Sequence, residues 1–138
     1  MVIAPSAVNV ALPLVIASAP RAEIEKRVCA ALDKVGLLAR ERALPAQLSA
    51  GEQQRVGIAR AIAARPALVI ADEPTGNLDP QLAAEIMALF ATLTQGGTTV
   101  LVASHDLHLI QRLRRRVLVL DKGRLIDDYR PQREGVAP

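Results

Sequence analysis

Aromatic residues are nearly absent from this 138-residue chain, which has one Phe, one Tyr and no Trp. Proteins that hold single-stranded nucleic acid stack its bases on aromatic side chains, so this scarcity argues against such a function. A single cysteine, Cys29, excludes an intramolecular disulfide bond and fits a reducing compartment. Because Cys29 lies among Val28, Ala30 and Ala31 in a helical pattern, we expect it to be a small packing residue.

The chain also lacks an apolar run long enough to cross a bilayer, since a membrane-spanning helix needs about 20 apolar residues. Residues 1–20 are apolar and superficially resemble a secretion signal. However, no Lys or Arg precedes Arg21, and Asn9 and Pro13 interrupt the run, whereas a signal peptide begins with a basic segment. We therefore expect a chain that is soluble or that reaches a membrane through a partner.

Length and charge indicate one ordinary globular domain. A hydrophobic content of 51% suffices for a core, and charged residues make up 22%, with a net charge of +3. Much of the positive charge lies in one cluster, Arg112, Arg114, Arg115 and Arg116. A solvated helix end explains this cluster better than a nucleic-acid patch, because cations complement the helix dipole there. No nucleic-acid partner is expected.

The most informative stretch is residues 68–79, where an apolar run ends in the adjacent carboxylates Asp72 and Glu73. A run without polar alternation predicts a strand buried on both faces of a parallel sheet, and Pro74 cannot continue it. Open α/β sheets place their ligand sites at the carboxyl ends of strands. Paired carboxylates there favour a divalent metal with phosphate. An acidic turn after a core strand is the simpler alternative.

A second stretch, residues 48–55, has Ser49 and Glu52 at the spacing of a capping box. It predicts a helix that stops before Pro66 and has a core face of Val56, Ala59, Ile62 and Ala63. Ser49, Gly51 and the free N–H groups of the first turn together make an anion site. An ordinary capped helix would read the same, but this helix leads directly into the Asp72–Glu73 strand.

Further elements follow from periodicity and helix-end residues. Residues 8–16 fit either a helix or an extended segment. A helix after Pro20 should end at Gly36, with a core face of Ile24, Val28, Leu32 and Val35. Another begins at the pair Asp79 and Pro80, with a core face of Leu82, Ile86, Leu89 and Leu93.

Strands are predicted at residues 98–103 and 117–120, with a helix through Leu113 between them and a hairpin turn at residues 121–123. Alternating strands and helices predict a parallel sheet. The residues after two of its strands, Asp72-Glu73 and Ser104-His105-Asp106, should then lie at one edge.

Taken together, these residues resemble the nucleotide-binding subunit of ABC transporters. Leu48-Ser49-Ala50-Gly51-Glu52-Gln53 is similar to the signature motif, and residues 68–73 are similar to Walker B with its following glutamate. Gly76-Asn77-Leu78-Asp79 is similar to the D-loop, and His105 to the switch histidine. The ordered set is far more specific than any one motif. Within the family the pattern is most similar to the bacterial cell-division type, and the lipoprotein-releasing and macrolide-export types share much of it.

The resemblance implies a partial P-loop NTPase fold of class α/β, a parallel sheet with flanking helices plus a helical subdomain and a C-terminal β-hairpin. It divides this single partial domain, residues 1–138, into a helical subdomain at 8–65, a core at 66–129 and a tail at 130–138. It also implies ATP and Mg²⁺ as cofactors. The implied partners are a membrane permease and a second ATP-binding subunit, on the cytoplasmic face of the plasma membrane.

Residue roles are likewise implied by the resemblance alone. Asp72 would organise Mg²⁺, Glu73 would be the general base, and His105 would contact the γ-phosphate. Ser49 and Gly51 would contact nucleotide bound on a second subunit.

Glu52 and Asp79 would also belong to that nucleotide-binding set, and Asp79 would act across the dimer interface. Glu52 replaces the usual glutamine, as the named family types tolerate. Ala50 replaces a usual glycine, and its methyl group is expected to weaken the closed dimer without abolishing it.

The family's phosphate-binding segment, G-x-x-x-x-G-K-S/T, does not occur in the 138 residues. We therefore expect a truncated product, a misplaced start or a gene remnant, so enzyme activity is uncertain. Strand edges without partners predict a poorly folded chain without ATPase activity. Alternatively, residues 8–48 form a non-catalytic module that binds a permease or a full-length homologue. A DNA-repair ATPase is disfavoured because sustained heptads are missing.

Overall fold

The computed structural model describes residues 4–131. Three successive helices are followed by alternating strands and helices, and then by two successive strands: α1 (Ser6–Ile16), α2 (Arg21–Lys34), α3 (Ala50–Ala63), β1 (Leu68–Asp72), α4 (Pro80–Gln95), β2 (Thr99–Ala103), α5 (Leu107–Leu113), β3 (Val117–Asp121) and β4 (Arg124–Tyr129). Short 3₁₀ turns at Leu38–Arg40 and Pro45–Gln47 join α2 to α3.

The described chain separates into two compact units, of which the first ends at Ala103 and the second begins at Ser104. The predicted boundary after residue 65 stays a prediction. Most of the predicted tail, at 132–138, lies outside the described residues, as do residues 1–3.

Three helices, α1, α2 and α3, pack on one another through fully or almost fully buried side chains: Val10, Leu14, Val28, Leu32, Val56, Ala59, Ile62 and Ala63. Residues 8–16 are therefore helical, with Pro13 inside α1. The predicted core face of α3 is confirmed and also includes Ile58.

The end of α2 follows its sequence closely. Gly36 has a φ of +71°, and its N–H donates to the Asp33 carbonyl at 2.9 Å, while the Leu37 N–H donates to the Leu32 carbonyl at 2.8 Å. These two bonds form a Schellman motif, which favours glycine at its left-handed position, and the predicted helix end is confirmed. The prediction for Cys29 is wrong, because this side chain is exposed. It lies one residue, or about 100° of helix rotation, from the buried Val28.

Strands β1 and β2 pair in parallel, with Asp72 opposite Ala103 at the carboxyl edge. One face carries the buried Val69, whereas the other exposes Ile70 by 68% and its neighbour Leu101 by 47%. The prediction of a strand buried on both faces is wrong for the described chain. Burial on both faces requires covering layers on both sides, and in residues 4–131 only one side of β1 is covered.

Helix α4 packs against β2 with a core face that is turned from the predicted one. Ile86 and Leu93 are buried as predicted, together with Met87 and Phe90, while Leu82 and Leu89 are half-buried. Phe90 lies four residues from Ile86 and so extends the same face. Of the four predicted core residues, Ile86 and Leu93 are therefore confirmed, whereas Leu82 and Leu89 are only partly buried.

In the second unit, β3 and β4 form an antiparallel hairpin with Asp121 opposite Arg124. Lys122 and Gly123 both have positive φ, at 46° and 77°, as a two-residue type I′ turn requires, and the predicted hairpin is confirmed. Among the described strands β3 pairs only with β4, so it does not extend the parallel sheet as the strand–helix alternation predicted.

Candidate functional site

The N-terminus of α3 is closed by a reciprocal pair of hydrogen bonds. The Ser49 N–H donates to Glu52 Oε2 at 2.8 Å, and the Glu52 N–H donates to Ser49 Oγ at 3.2 Å. The predicted capping box is confirmed. Ser49 Oγ accepts in this box, so its own O–H can still donate outward. The Ala50 and Gly51 N–H groups belong to the same first turn and have no carbonyl partner within the helix.

Hydrogen bonding and charge both act on the Glu52 carboxylate. The backbone N–H of Ser49 lowers the pKa of Glu52 below its ordinary value of 4.5, and Arg40 acts in the same direction. Arg40 Nε lies 3.4 Å from Glu52 Oε1. The charged form of Glu52 is therefore the one that holds the start of α3.

Replacing Glu52 by glutamine is expected to flatten the dependence of stability on pH in the acid range. A lowered folded-state pKa means that the stabilisation is present above pH 4.5 and disappears as the pH falls through the lowered value. Urea unfolding of both proteins across this range measures the effect. Equal slopes of stability against pH in the two proteins would contradict it.

Gly51 contacts α4. A Cβ atom built on Gly51 would lie 3.2 Å and 3.3 Å from the two terminal methyl carbons of Leu82. Gly51 is buried, whereas its neighbour Ala50 is exposed. Glycine at this position therefore lets the first turns of α3 and α4 approach each other.

Asp79 begins α4. Its Oδ1 accepts hydrogen bonds from the N–H groups of Gln81 and Leu82, at 2.9 Å and 3.1 Å. Asp79 with Pro80 is thus a helix cap, as predicted. The structure brings the Ser49-capped and the Asp79-capped helix ends into one region, because Leu82 of α4 covers Gly51 of α3.

Asp72 is the last residue of β1 and is exposed. Glu73 follows with a left-handed φ of 45°, and its N–H donates to the Ala103 carbonyl at 2.9 Å. The Glu73 carbonyl then accepts from the Gly76 N–H at 3.2 Å. A left-handed glutamate is uncommon and turns the chain sharply out of the sheet. Strained residues of this kind cluster at functional sites.

Few protein groups are available to Mg²⁺ in the described residues. No group of three or more His, Cys, Asp or Glu side chains converges within residues 4–131. Mg²⁺ in phosphate sites is commonly held by one or two carboxylates together with phosphate oxygens and water. The exposed carboxylate of Asp72 fits such an arrangement as a single protein ligand.

His105 lies in the second unit, between β2 and α5. It is flanked by Ser104, whose Oγ accepts from the Asp106 N–H at 3.2 Å, and by Asp106, which caps α5 by accepting from the Leu109 N–H at 3.0 Å. Glu73 belongs to the first unit, so a common site for these two residues stays a prediction.

Two contacting residues escaped prediction from the sequence. Arg55 on α3 forms an ion pair with Glu85 on α4. Arg55 lies one helical turn after Gly51, and Glu85 lies three residues after Leu82, so helical spacing puts each on the contacting face. That signal was present in the sequence, but only the contact between Gly51 and Leu82 identifies which faces meet.

Residues 5–76, just over half of the chain, match the family model described as "ABC transporter". The chain belongs to the ABC transporter family. The expected resemblance and the expected α/β fold class are both confirmed.

Relatives and solved structures agree with this assignment. The chain is 56% identical over 117 residues to the cell division ATP-binding protein FtsE of Escherichia coli K12, a match that covers 85% of this chain and 53% of FtsE. CbiO1 of Clostridium perfringens, described as part of the ABC transporter complex cbiONQ, is 32% identical with a TM-score of 0.85, covering 95% of this chain and 53% of CbiO1.

A dimeric structure of the ATP-binding cassette MJ0796 with ADP and Pi is also 32% identical, with a TM-score of 0.76 over 94% of this chain and 57% of MJ0796. The chain thus spans about half the length of these three proteins. No helix in residues 4–131 has the length and apolar character needed to cross a membrane.

Proposed function

We propose that this chain carries the signature, Walker B, D-loop and switch-histidine part of an ATP-binding, ATP-hydrolysing subunit of the FtsE type. Its implied partners are a second ATP-binding subunit and a membrane permease of the FtsX type. It would work in the cytoplasm at the inner face of the plasma membrane. Support comes from the sequence identity to FtsE and from the structural similarity to MJ0796, which was solved as a dimer.

One observation carries the proposal: the capped start of α3 lies against the capped start of α4 through Gly51 and Leu82. The signature-like and D-loop-like segments, 23 residues or more apart in the sequence, are thereby neighbours on one surface. The proposed contact with nucleotide on another subunit uses both segments.

The residue roles are part of the proposal. Asp72 would hold Mg²⁺, and Glu73 would accept a proton from the attacking water. His105 contacts the γ-phosphate and helps to hold that water, while Ser49 and Gly51 donate hydrogen bonds to the phosphate across the dimer. ATP would supply the phosphoanhydride bond, and bound Mg²⁺ would supply positive charge beside its phosphates.

Glu52 supports the Ser49 end of that contact through the capping box, and Asp79 acts across the dimer. The phosphate-binding segment G-x-x-x-x-G-K-S/T does not occur in the 138 residues.

The isolated 138-residue chain is therefore expected to show no magnesium-dependent ATP turnover. Phosphate release from the purified chain, with E. coli FtsE as the positive control, measures this. Turnover by the wild-type chain that is lost in the Glu73→Gln variant would contradict the expectation.

A second candidate is a non-catalytic interaction module that binds a permease or a full-length homologue. One observation favours it: α1 exposes an apolar stripe at i, i+4, i+7 and i+8, formed by Val8, Leu12, Val15 and Ile16. Mixing the chain with E. coli FtsE separates the two candidates. Association that requires ATP supports the nucleotide-dependent function, whereas association of equal strength without ATP supports the module.

A further inference from the structure

Helices α3 and α4 meet in an apolar contact and in an ion pair. The apolar contact is Gly51 with Leu82, and the ionic contact is Arg55 with Glu85. By comparison, the large packing surfaces lie within the α1–α2–α3 cluster or between α4 and the sheet. The relative placement of the two helix starts therefore depends on a small contact area.

The spacing of the two contacts along the helices restricts how α3 and α4 can rotate relative to each other. Gly51 and Arg55 are one turn apart on α3, and Leu82 and Glu85 are about one turn apart on α4. A single contact between two helices allows one to pivot on the other, whereas two contacts one turn apart resist that rotation. Loss of the ion pair would remove one of these two points of contact.

The Arg55–Glu85 ion pair is less exposed than the Arg21–Glu25 pair on α2 and about as exposed as the Arg27–Glu23 pair on the same helix. The side chains of Arg55 and Glu85 are 26% and 43% exposed, whereas those of Arg21 and Glu25 on α2 are 92% and 65% exposed. Solvent and salt screen the second pair strongly and the first less. Arg55 Nη1 also lies within 3.8 Å of a Cβ built on Gly36, at the end of α2.

We propose that Arg55 and Glu85 are positioning residues, whose ion pair holds the Ser49-capped end of α3 at a set distance from the Asp79-capped end of α4. The inference rests on the proposed function only where it links this placement to nucleotide-dependent association. The placement itself is a property of the first unit and can be measured without nucleotide.

Distance measurement between two spin labels tests the placement. Cys29 is exposed on α2 and is the one cysteine of the sequence, and Gln95→Cys adds a second exposed site at the end of α4. We expect a narrow distance distribution in the otherwise unchanged chain, a broad one in Arg55→Gln and in Glu85→Gln, and a narrow one again when the charges are exchanged (Arg55→Glu with Glu85→Arg). Arg21→Gln serves as the matched control and should change nothing.

Nucleotide-dependent association tests the consequence. In the presence of ATP, each single variant should bind E. coli FtsE about tenfold more weakly than the wild-type chain, which corresponds to about 1.4 kcal/mol. The variant with exchanged charges should recover most of this loss. Distributions that stay narrow in both single variants would overturn the inference. Broadened distributions with unchanged association would overturn its link to the site. A wild-type chain that does not associate would refute the proposed function, while the distance measurement still decides the placement.

Discussion

Replacing Ser49 by alanine is expected to weaken ATP-dependent association with E. coli FtsE roughly ten- to hundredfold, the effect of losing a hydrogen bond to a charged group. Ser49 has two tasks in the proposed function. Its Oγ accepts the Glu52 N–H at 3.2 Å, and its O–H is free to donate to phosphate. Alanine removes both, whereas the Glu52 carboxylate keeps its bond to the backbone N–H of residue 49. Surface plasmon resonance with and without ATP measures the change in affinity.

Two further variants separate these tasks. Threonine at position 49 keeps the hydroxyl, so it should preserve most of the affinity. Glycine lacks the hydroxyl but costs the helix cap only a few tenths of a kcal/mol, so it should bind as weakly as alanine. If glycine binds like the wild type, the hydroxyl makes no contact with nucleotide and Ser49 serves only as a cap.

Replacing Leu32 by alanine is expected to lower the free energy of unfolding of the first unit by about 3 kcal/mol, as for other fully buried leucines. Leu32 is completely buried among α1, α2 and α3, and its carbonyl also accepts the Leu37 N–H that closes α2. Truncation leaves a cavity that a tightly packed cluster fills only in part. Urea unfolding followed by helical circular dichroism measures the loss.

Leu12→Ala is the matched control for Leu32→Ala, because Leu12 is also a helical leucine but is 49% exposed on α1. Exposed positions without special contacts change stability by about 0.5 kcal/mol or less. Equal losses at Leu12 and Leu32 would show that the α1–α2–α3 cluster is not the packed core of the first unit. If Leu12→Ala weakens association with E. coli FtsE but leaves folding stability unchanged, the interaction-module candidate is favoured.

The exposed apolar face of the β1–β2 sheet is expected to affect the folding and self-association of the isolated chain. Leu68, Ile70 and Leu101 form a contiguous apolar surface in the described chain. Exposed apolar faces and open strand edges favour association with other chains. The expectation that the isolated chain folds poorly remains a prediction, and this face gives it a physical cause.

Much of the candidate site was predictable from the sequence, because its parts are local. The capping box of Ser49 and Glu52, the Asp79 cap, the Gly36 helix end and the hairpin turn each involve residues within five positions of one another. Their hydrogen bonds depend on residue type and spacing, which the sequence states directly. The order of the family motifs is likewise visible in the sequence alone.

Tertiary structure alone decided which faces are covered and which residues from distant segments meet. The sequence pattern predicts that Ile70 is a core residue, but it is exposed. It also predicts that Cys29 is a packing residue, but Cys29 is exposed to solvent. Arg55 and Glu85, 30 positions apart, form an ion pair that no local pattern specifies. Burial and long-range pairing depend on what packs against an element, and that is set by the whole fold. The sequence determined the helices, their ends and the motifs they carry; packing determined how those motifs are held together.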